Sequence, residues 1–312
     1  KLHKEILMQP RDSNSVVSLK LVLVPCPNAT GKEFDAAKKW MQFQQITKAD
    51  QFWRLLINPK KFGFCANQKG LVVFLGGDQF WTVLLSARLR YKHMTYAEWV
   101  ARWPGWNDRI AAMSPRVREQ LPKRFKDRCN VVGDLMADLP SLSPFKEKLD
   151  KGNWIALMPG SKKSKLNVGG PFMLEIADHL AQMIPECKFL LPIAPTSSIQ
   201  ELKDCLSQKN PISKKYKSSI NSIKTNVTDS DRQKIITNLG TEIYLQEKQP
   251  AHEVLSQCDL AITTIGANTA ELGALGVPML VIVPTQHIAV MQAWDGLLGV
   301  IARLPIFRWF LG

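Results

Sequence analysis

Little in this sequence points to a bound metal, a disulfide framework or a membrane span. Only five histidines are present, and the six cysteines (Cys26, Cys65, Cys129, Cys187, Cys205 and Cys258) form no CxxC pair and no grouping with histidine. Zinc-site spacings are therefore excluded, and the cysteines read as reduced thiols of a cytosolic protein. No run reaches the roughly 20 apolar residues that a transmembrane helix needs, and the first residues lack the pattern of a signal peptide. Acidic residues are in deficit, 27 Asp and Glu against 41 Lys and Arg, which leaves a formal charge of +14. The partners expected of such a chain are anions: nucleic acid, phosphate esters or an acidic membrane surface.

What is present is an ordinary globular composition, 45% hydrophobic and 22% charged, which argues against disorder. At 312 residues the chain has room for two α/β domains. Short β-branched runs ended by Pro or Gly, Leu19 to Pro27 and Leu71 to Gly77, read as buried parallel strands. Helical spacing follows at Lys32 to Phe43, Asp50 to Ile57 and Gln79 to Arg90, and a further helix is expected from Asn107, before a strand at Asn130 to Gly133. The Pro-, Ser- and Lys-rich stretch Leu139 to Lys151 is the expected linker, dividing residues 1–150 from 151–312. Beyond it come the strand Trp154 to Gly160 and a helix from Pro171 to Met183, with the proline at a first helical position. Strands at Lys188 to Pro192, Thr241 to Leu245, Asp259 to Thr264 and Val277 to Val283 then alternate with helices at Ile199 to Leu206, His252 to Gln257 and Thr269 to Leu275. This alternation defines two Rossmann-like units, the second nearly complete. Ser207 to Asn238, rich in Lys, Ser and Asn, reads as a surface insertion. The chain begins without methionine and ends on an apolar run, so a piece of a longer protein is expected.

Two segments could carry chemistry. Pro159 to Pro171 (PGSKKSKLNVGGP) links a strand to a helix; its glycine lets backbone N–H groups approach an anion, and Lys162, Lys163 and Lys165 supply counter-charge. It matches neither GxGxxG nor the Walker pattern, and a solvated basic loop is the alternative. Cys258 to Pro284 packs strand, turn, helix and strand, and its turn, Ile265-Gly266-Ala267-Asn268, falls where open α/β sheets bind ligands. Glu271, one turn into the following helix, could accept both hydroxyls of a ribose; merely complementing the helix dipole is the alternative.

Gly266-Ala267-Asn268-Thr269 with Glu271, followed by Gly276-Val277-Pro278, resembles the donor-binding segment of GT-B glycosyltransferases that use UDP-sugars. Pro159-Gly160-Ser161-Lys162, and Val132-Gly133 with Asp138, are similar to segments of the lipid-A-disaccharide synthase family, as are Phe74 to Asp78 and Trp99 to Arg109. Lys162 stands where that family has arginine, Asp134 and Leu135 replace a His-Pro pair, and the family's N-terminal glycine-rich loop is absent, as if the first βα unit were missing.

The resemblance implies a GT-B-like fold, with parallel sheets facing across a cleft, and inverting transfer of an acylated N-acetylglucosamine-type sugar from UDP to a lipid-linked sugar phosphate. Its donor site would comprise Gly160, Ser161, Lys163, Gly266, Ala267, Asn268, Thr269, Glu271 and Gln286, with His287 and Gln292 nearby. Asp78 would be the base or acceptor-positioning carboxylate, and Lys162 would stabilise the leaving diphosphate. Asp78 could equally be a helix N-cap. No metal or other cofactor is required. Asp229-Ser230-Asp231 spells DxD, but within the polar insertion, where chance accounts for it. The sequons at Asn28 and Asn226 carry no meaning in a cytosolic chain.

Leu297 to Gly312, apolar with Arg303 and Arg308, could lie on an anionic membrane, placing the protein peripherally on its cytoplasmic face. Trp99, Trp103 and Trp106 are expected either in an aromatic core or, less commonly, along an acyl groove. The alternatives are a GT-B enzyme with another lipid acceptor and a UDP-sugar 2-epimerase, for which Asp78 and His287 are the evident acid-base groups. Nucleic-acid binding is disfavoured, because the basic residues are dispersed and no RNP-, KH- or zinc-finger-like motif gathers them.

Overall fold

The computed structural model describes residues 17–26, 29, 31–39, 43–65, 69–137, 147–207, 209–216, 219–224 and 232–283. They divide into two compact units, one ending at Asp134 and the other beginning at Leu135. The end of the expected linker is already part of the second unit: the Glu147 and Leu149 N–H groups donate to Glu253 Oε2 (3.2 Å) and Gln257 Oε1 (3.0 Å).

In the first unit, β1 (Lys20–Val22), α1 (Glu33–Lys38) and β2 (Gln45–Thr47) form a small parallel pair with its crossover. After α2 (Phe52–Ile57) comes β3 (Leu71–Phe74), then α3 (Gln79–Leu89), which ends at Arg90 in the left-handed conformation (φ 57°). Then follow β4 (Lys92–Ala97), β5 (Arg109–Ala112), α4 (Pro115–Glu119) and β6 (Cys129–Val131), and β3 to β6 pair in sequential order, all parallel. Two expectations are corrected here. β4 was not foreseen, because its inward positions include the polar His93 and Thr95 rather than an aliphatic alternation. The residues after Asn107 form the strand β5 rather than a helix; pairing with β4 on one side and β6 on the other outweighs the helical propensity of its alanines.

The second unit contains β7 (Asn153–Met158), α5 (Lys163–Met183), β8 (Cys187–Pro192), α6 (Ile199–Leu206), β9 (Ile220–Lys224), β10 (Lys234–Thr237), β11 (Glu242–Gln246), α7 (His252–Leu255), β12 (Leu260–Thr264), α8 (Ala267–Ala274) and β13 (Met279–Ile282). Its sheet runs β13-β12-β7-β8-β11-β10-β9, the first five strands parallel and the last two antiparallel. Covered on both faces, β7 is buried at five of its six positions. Leu157, Met173, Leu174, Phe189 and Ile243 fill one face, and Trp154, Ala156, Leu190, Leu255 and Leu272 the other. The polar stretch expected as a surface insertion contributes β9 and β10 to this sheet. Ile235 is fully buried there, and Thr237 donates its hydroxyl to Asp178 Oδ1 at 2.6 Å.

Helix α5 starts eight residues before the expected Pro171, which lies inside it. A mid-helix proline leaves the carbonyl four residues earlier without its donor. That carbonyl, on Asn167, instead accepts from Asn210 Nδ2 at 2.8 Å, and the same amide also donates to Cys205 O. Glycines at 169 and 170 let the helix approach its neighbours: a Cβ on Gly169 would lie 2.7 Å from the Pro159 carbonyl oxygen, and one on Gly170 2.5 Å from Leu206 Cδ2.

Candidate functional site

The chain leaves β7 toward β8 on one side, and returns later to place β12 on the other. This reversal of direction opens the crevice in which open α/β sheets bind ligands, at the carboxyl ends of the two strands. Parallel register from Leu260 with Ile155 to Thr263 with Met158 brings out side by side the two loops singled out in the sequence, one from Pro159 and one from Ile265.

The first loop is shorter than expected. It runs from Pro159 to Lys162, with Lys163 and Lys165 in the first turn of α5. Gly160 has φ 106°, where a side chain would be strained, and a Cβ there would meet Lys165 Cβ at 3.0 Å. Thr264 Oγ1 donates to the Pro159 carbonyl at 3.2 Å, and Ser197 Oγ to that of Ser161 at 3.3 Å. From α5, Lys165 crosses to the second loop and donates to the Ile265 carbonyl at 2.8 Å. Gly266 precedes α8, and its carbonyl accepts from Thr269 Oγ1 (2.8 Å) and Thr269 N (3.1 Å). Ala267 and Asn268 begin that helix. Two helix N-termini, each a concentration of unpaired N–H groups and partial positive charge, thus flank one crevice with Lys162, Lys163 and Lys165 around it. Such an arrangement suits a diphosphate.

Glu271 lies in α8, and its Oε1 is hydrogen-bonded to His252 Nε2, from the first turn of α7. Both side chains are largely buried, 22% and 15% exposed, so the carboxylate is held from behind rather than free on a helix surface. Sequence reasoning named neither His252 nor the bridging role of Lys165, and left Lys165 out of the donor set. A histidine 19 residues upstream in another helix gives no periodic signal.

In the first unit, Asp78 follows β3 and the Gly76-Gly77 turn, and its Oδ1 accepts from the Phe80 N–H at 3.0 Å, capping α3. The next residue, Gln79, clamps the loop beyond β4, donating to Val100 O at 2.8 Å and accepting from Arg102 N at 2.7 Å. Trp99, Trp103 and Trp106 are 74%, 46% and 61% exposed, which corrects the expectation of an aromatic core. They lie on the connection from β4 to β5, and Trp103 packs beside Phe80 with ring centroids 6.0 Å apart. Among the described residues no three His, Cys, Asp or Glu side chains gather as a metal site, and no helix is long and apolar enough to cross a membrane. Asp138, the DxD residues 229–231, Gln286, His287, Gln292 and the segment 297–312 lie outside the described residues.

Parallel Rossmann-like sheets and a crevice at the switch point of the second define an α/β fold of the GT-B kind. No protein-family model matches the chain. Curated lipid-A-disaccharide synthases do match: that of Psychromonas ingrahamii is 24% identical over 166 residues, covering 47% of this chain and 43% of the relative. That of Aeromonas hydrophila is 31% identical over 98 residues, 27% of this chain and 26% of the relative. The resemblance to lipid-A-disaccharide synthases thus extends over less than half of this chain, across a wide divergence, and the matched part spans less than half the length of these relatives. Among solved structures, an S. aureus MnaA–UDP co-structure superposes with a TM-score of 0.50 at 11% identity, covering 85% of this chain and 79% of that one.

Proposed function

We propose that the second unit binds a UDP-sugar, and that the whole protein transfers an acylated N-acetylglucosamine-type sugar from it, with inversion, to a lipid-linked sugar phosphate. The observation that carries the donor half is the convergence of the N-termini of α5 and α8, with Gly160, Gly266 and Lys165, at the β7/β12 switch point. The diphosphate lies across the two N-termini, with Ser161, Lys163, Ala267, Asn268 and Thr269 around it, while Lys162 balances the charge that develops on the leaving group. Glu271 accepts the ribose hydroxyls, anchored by His252. Gln286 contacts the donor sugar. Asp78 acts on the acceptor side, through the carboxylate that also caps α3. Neither a metal nor an organic cofactor enters this scheme. The charge of +14 favours an anionic membrane surface on the cytoplasmic side, where a lipid acceptor resides.

Calorimetric titration with UDP, UDP-N-acetylglucosamine and an acylated UDP-glucosamine tests the reading. All three are expected to bind, with Lys162→Ala and Lys165→Ala each weakening the affinity about tenfold through loss of a charge-assisted contact. Undiminished affinity in both variants would remove the diphosphate assignment. Epimerisation of UDP-N-acetylglucosamine without an acceptor would replace the transferase reading with an epimerase.

A further inference from the structure

On the connection from β4 to β5, which crosses one face of the parallel sheet in the first unit, the amides are inside and the indoles outside. Gln79, buried at the start of α3, holds the backbone of Val100 and Arg102. Asn107, also buried, donates through Nδ2 to the carbonyls of Trp103 (3.2 Å) and Arg102 (3.4 Å), and the Trp106 N–H donates to Trp103 O at 2.9 Å. Within this turn Trp103 has φ 55°, a left-handed backbone that is strained for any residue with a bulky side chain. Polar groups therefore order the connection, while Trp99, Trp103 and Trp106 all remain exposed. An ordered loop that buries its amides and tolerates strain at a displayed tryptophan points to a partner that covers the indoles.

The surroundings add aliphatic area and positive charge. Val100 is exposed, as is Leu75, which leaves β3 at the sheet edge where the connection leaves β4. Phe80 joins Trp103 to Trp81 and through it to Trp53, a fourth exposed indole, with ring centroids 6.0, 5.4 and 5.5 Å apart along the series. Against the connection packs the 3-10 turn Lys123–Arg128: a Cβ on Gly105 would lie 3.7 Å from Phe125 Cζ, and Arg128 donates to the Asn107 carbonyl at 3.2 Å. The Arg124 and Arg128 guanidinium groups lie 4.7 and 5.9 Å from the centre of the Phe125 ring. Residues 98–109 and 123–128 hold six Lys or Arg against three Asp or Glu, and one of the three, Asp108, is paired with Lys92 at 2.8 Å.

We infer, resting on the membrane reading of the proposed function, that this face of the first unit docks on an anionic lipid bilayer. The indoles enter at headgroup depth, which suits an apolar ring carrying one polar N–H, and the lysines and arginines beside them meet lipid phosphates. A second copy of the chain would set like charge against like charge. Single-stranded nucleic acid would stack on the flat rings but has no use for Val100 and Leu75, whereas a bilayer takes aromatic and aliphatic side chains alike.

Co-sedimentation of the full chain with vesicles of phosphatidylcholine, alone or mixed with phosphatidylglycerol, tests the docking. Binding is expected to the anionic vesicles and should weaken as salt is added. Trp99→Ser/Trp106→Ser is expected to lose about tenfold in vesicle affinity or more, two indoles no longer leaving water. Lys123→Gln/Arg124→Gln is expected to lose about tenfold on the anionic vesicles and nothing on the neutral ones. These side chains are exposed, so both variants should keep the wild-type thermal midpoint, and UDP affinity, a property of the second unit, should not change. Vesicle binding that is equal in wild type and the indole variant would overturn this surface and leave the membrane reading standing. Failure of the wild type to bind anionic vesicles would remove both, while UDP binding would still judge the donor half separately. Tighter binding of single-stranded RNA than of anionic vesicles, lost in the indole variant, would replace the bilayer with nucleic acid and overturn the proposal.

Discussion

If His252 holds Glu271 for the ribose, removing the histidine should weaken UDP binding only while the glutamate is present. The size of the effect follows from the contacts. Glu271→Ala deletes a charged acceptor, and hydrogen bonds to charged groups contribute about 1.5–3 kcal/mol each, so a loss of at least about tenfold in affinity is expected. His252→Ala leaves the carboxylate in place but frees its rotamers, which binding must then order at a cost of about 1 kcal/mol, roughly three- to tenfold. His252→Gln, which keeps a donor on a side chain of similar reach, should recover part of that loss. In the double variant the affinity should equal that of Glu271→Ala alone, a coupling of about 1 kcal/mol. The assay is calorimetric titration with UDP, with thermal midpoints measured in parallel. Strictly additive losses would refute the positioning role of His252, and wild-type affinity in Glu271→Ala would refute the ribose assignment itself.

Gly169→Ala should destabilise the second unit by about 1–3 kcal/mol in denaturant melts, because its Cβ meets backbone at Pro159. Gly170→Ala, which meets a side-chain methyl of Leu206 rather than backbone, should cost less, and the reverse order would show that the helix is not pinned against the loop. Asn210→Ala should cost about 1–3 kcal/mol by stranding the Asn167 carbonyl that Pro171 cannot serve, whereas an unchanged midpoint would mean that another donor takes over. Burial, helped by the charge of Asp259, pushes the Cys258 thiol up to about 12. Above its ordinary value the unfolded thiol ionises while the folded one keeps its proton, so stability should fall as pH rises from 9.0 toward about 12. Its contribution to the slope is about 1.4 kcal/mol per pH unit, by which Cys258→Ala should reduce the total. An equal slope in that variant would place the loss elsewhere.

How far the sequence could be read depended on whether a segment's structure had local causes. Helix α6 was located at both ends, since Ser198 and Glu201 form a reciprocal capping box and its apolar positions follow a helical period. Aliphatic strands such as β7 and β12 were found for the same reason. The first eight residues of α5 were missed because the proline rule is local while its exception is not: Asn210 reaches the carbonyl from 43 residues away in sequence. β4 and β5 take their structure from each other more than from their own composition. In the candidate site, the two loops were legible as neighbours at one sheet edge, but the hydrogen bond between His252 and Glu271 depends on how α7 and α8 pack.

The loop from Pro159 to Lys162 is tied on several sides: Thr264 bonds it from the neighbouring strand, Ser197 from beyond β8, and Gly169 lets α5 press against it from below. A loop so braced gives up little conformational freedom when an anion arrives. Most of what the ligand gains is therefore available for affinity rather than for ordering the protein. Recognition of the phosphates should then be fast and shape-selective. Substitutions beneath the loop, far from any ligand atom, would be felt as changes in binding.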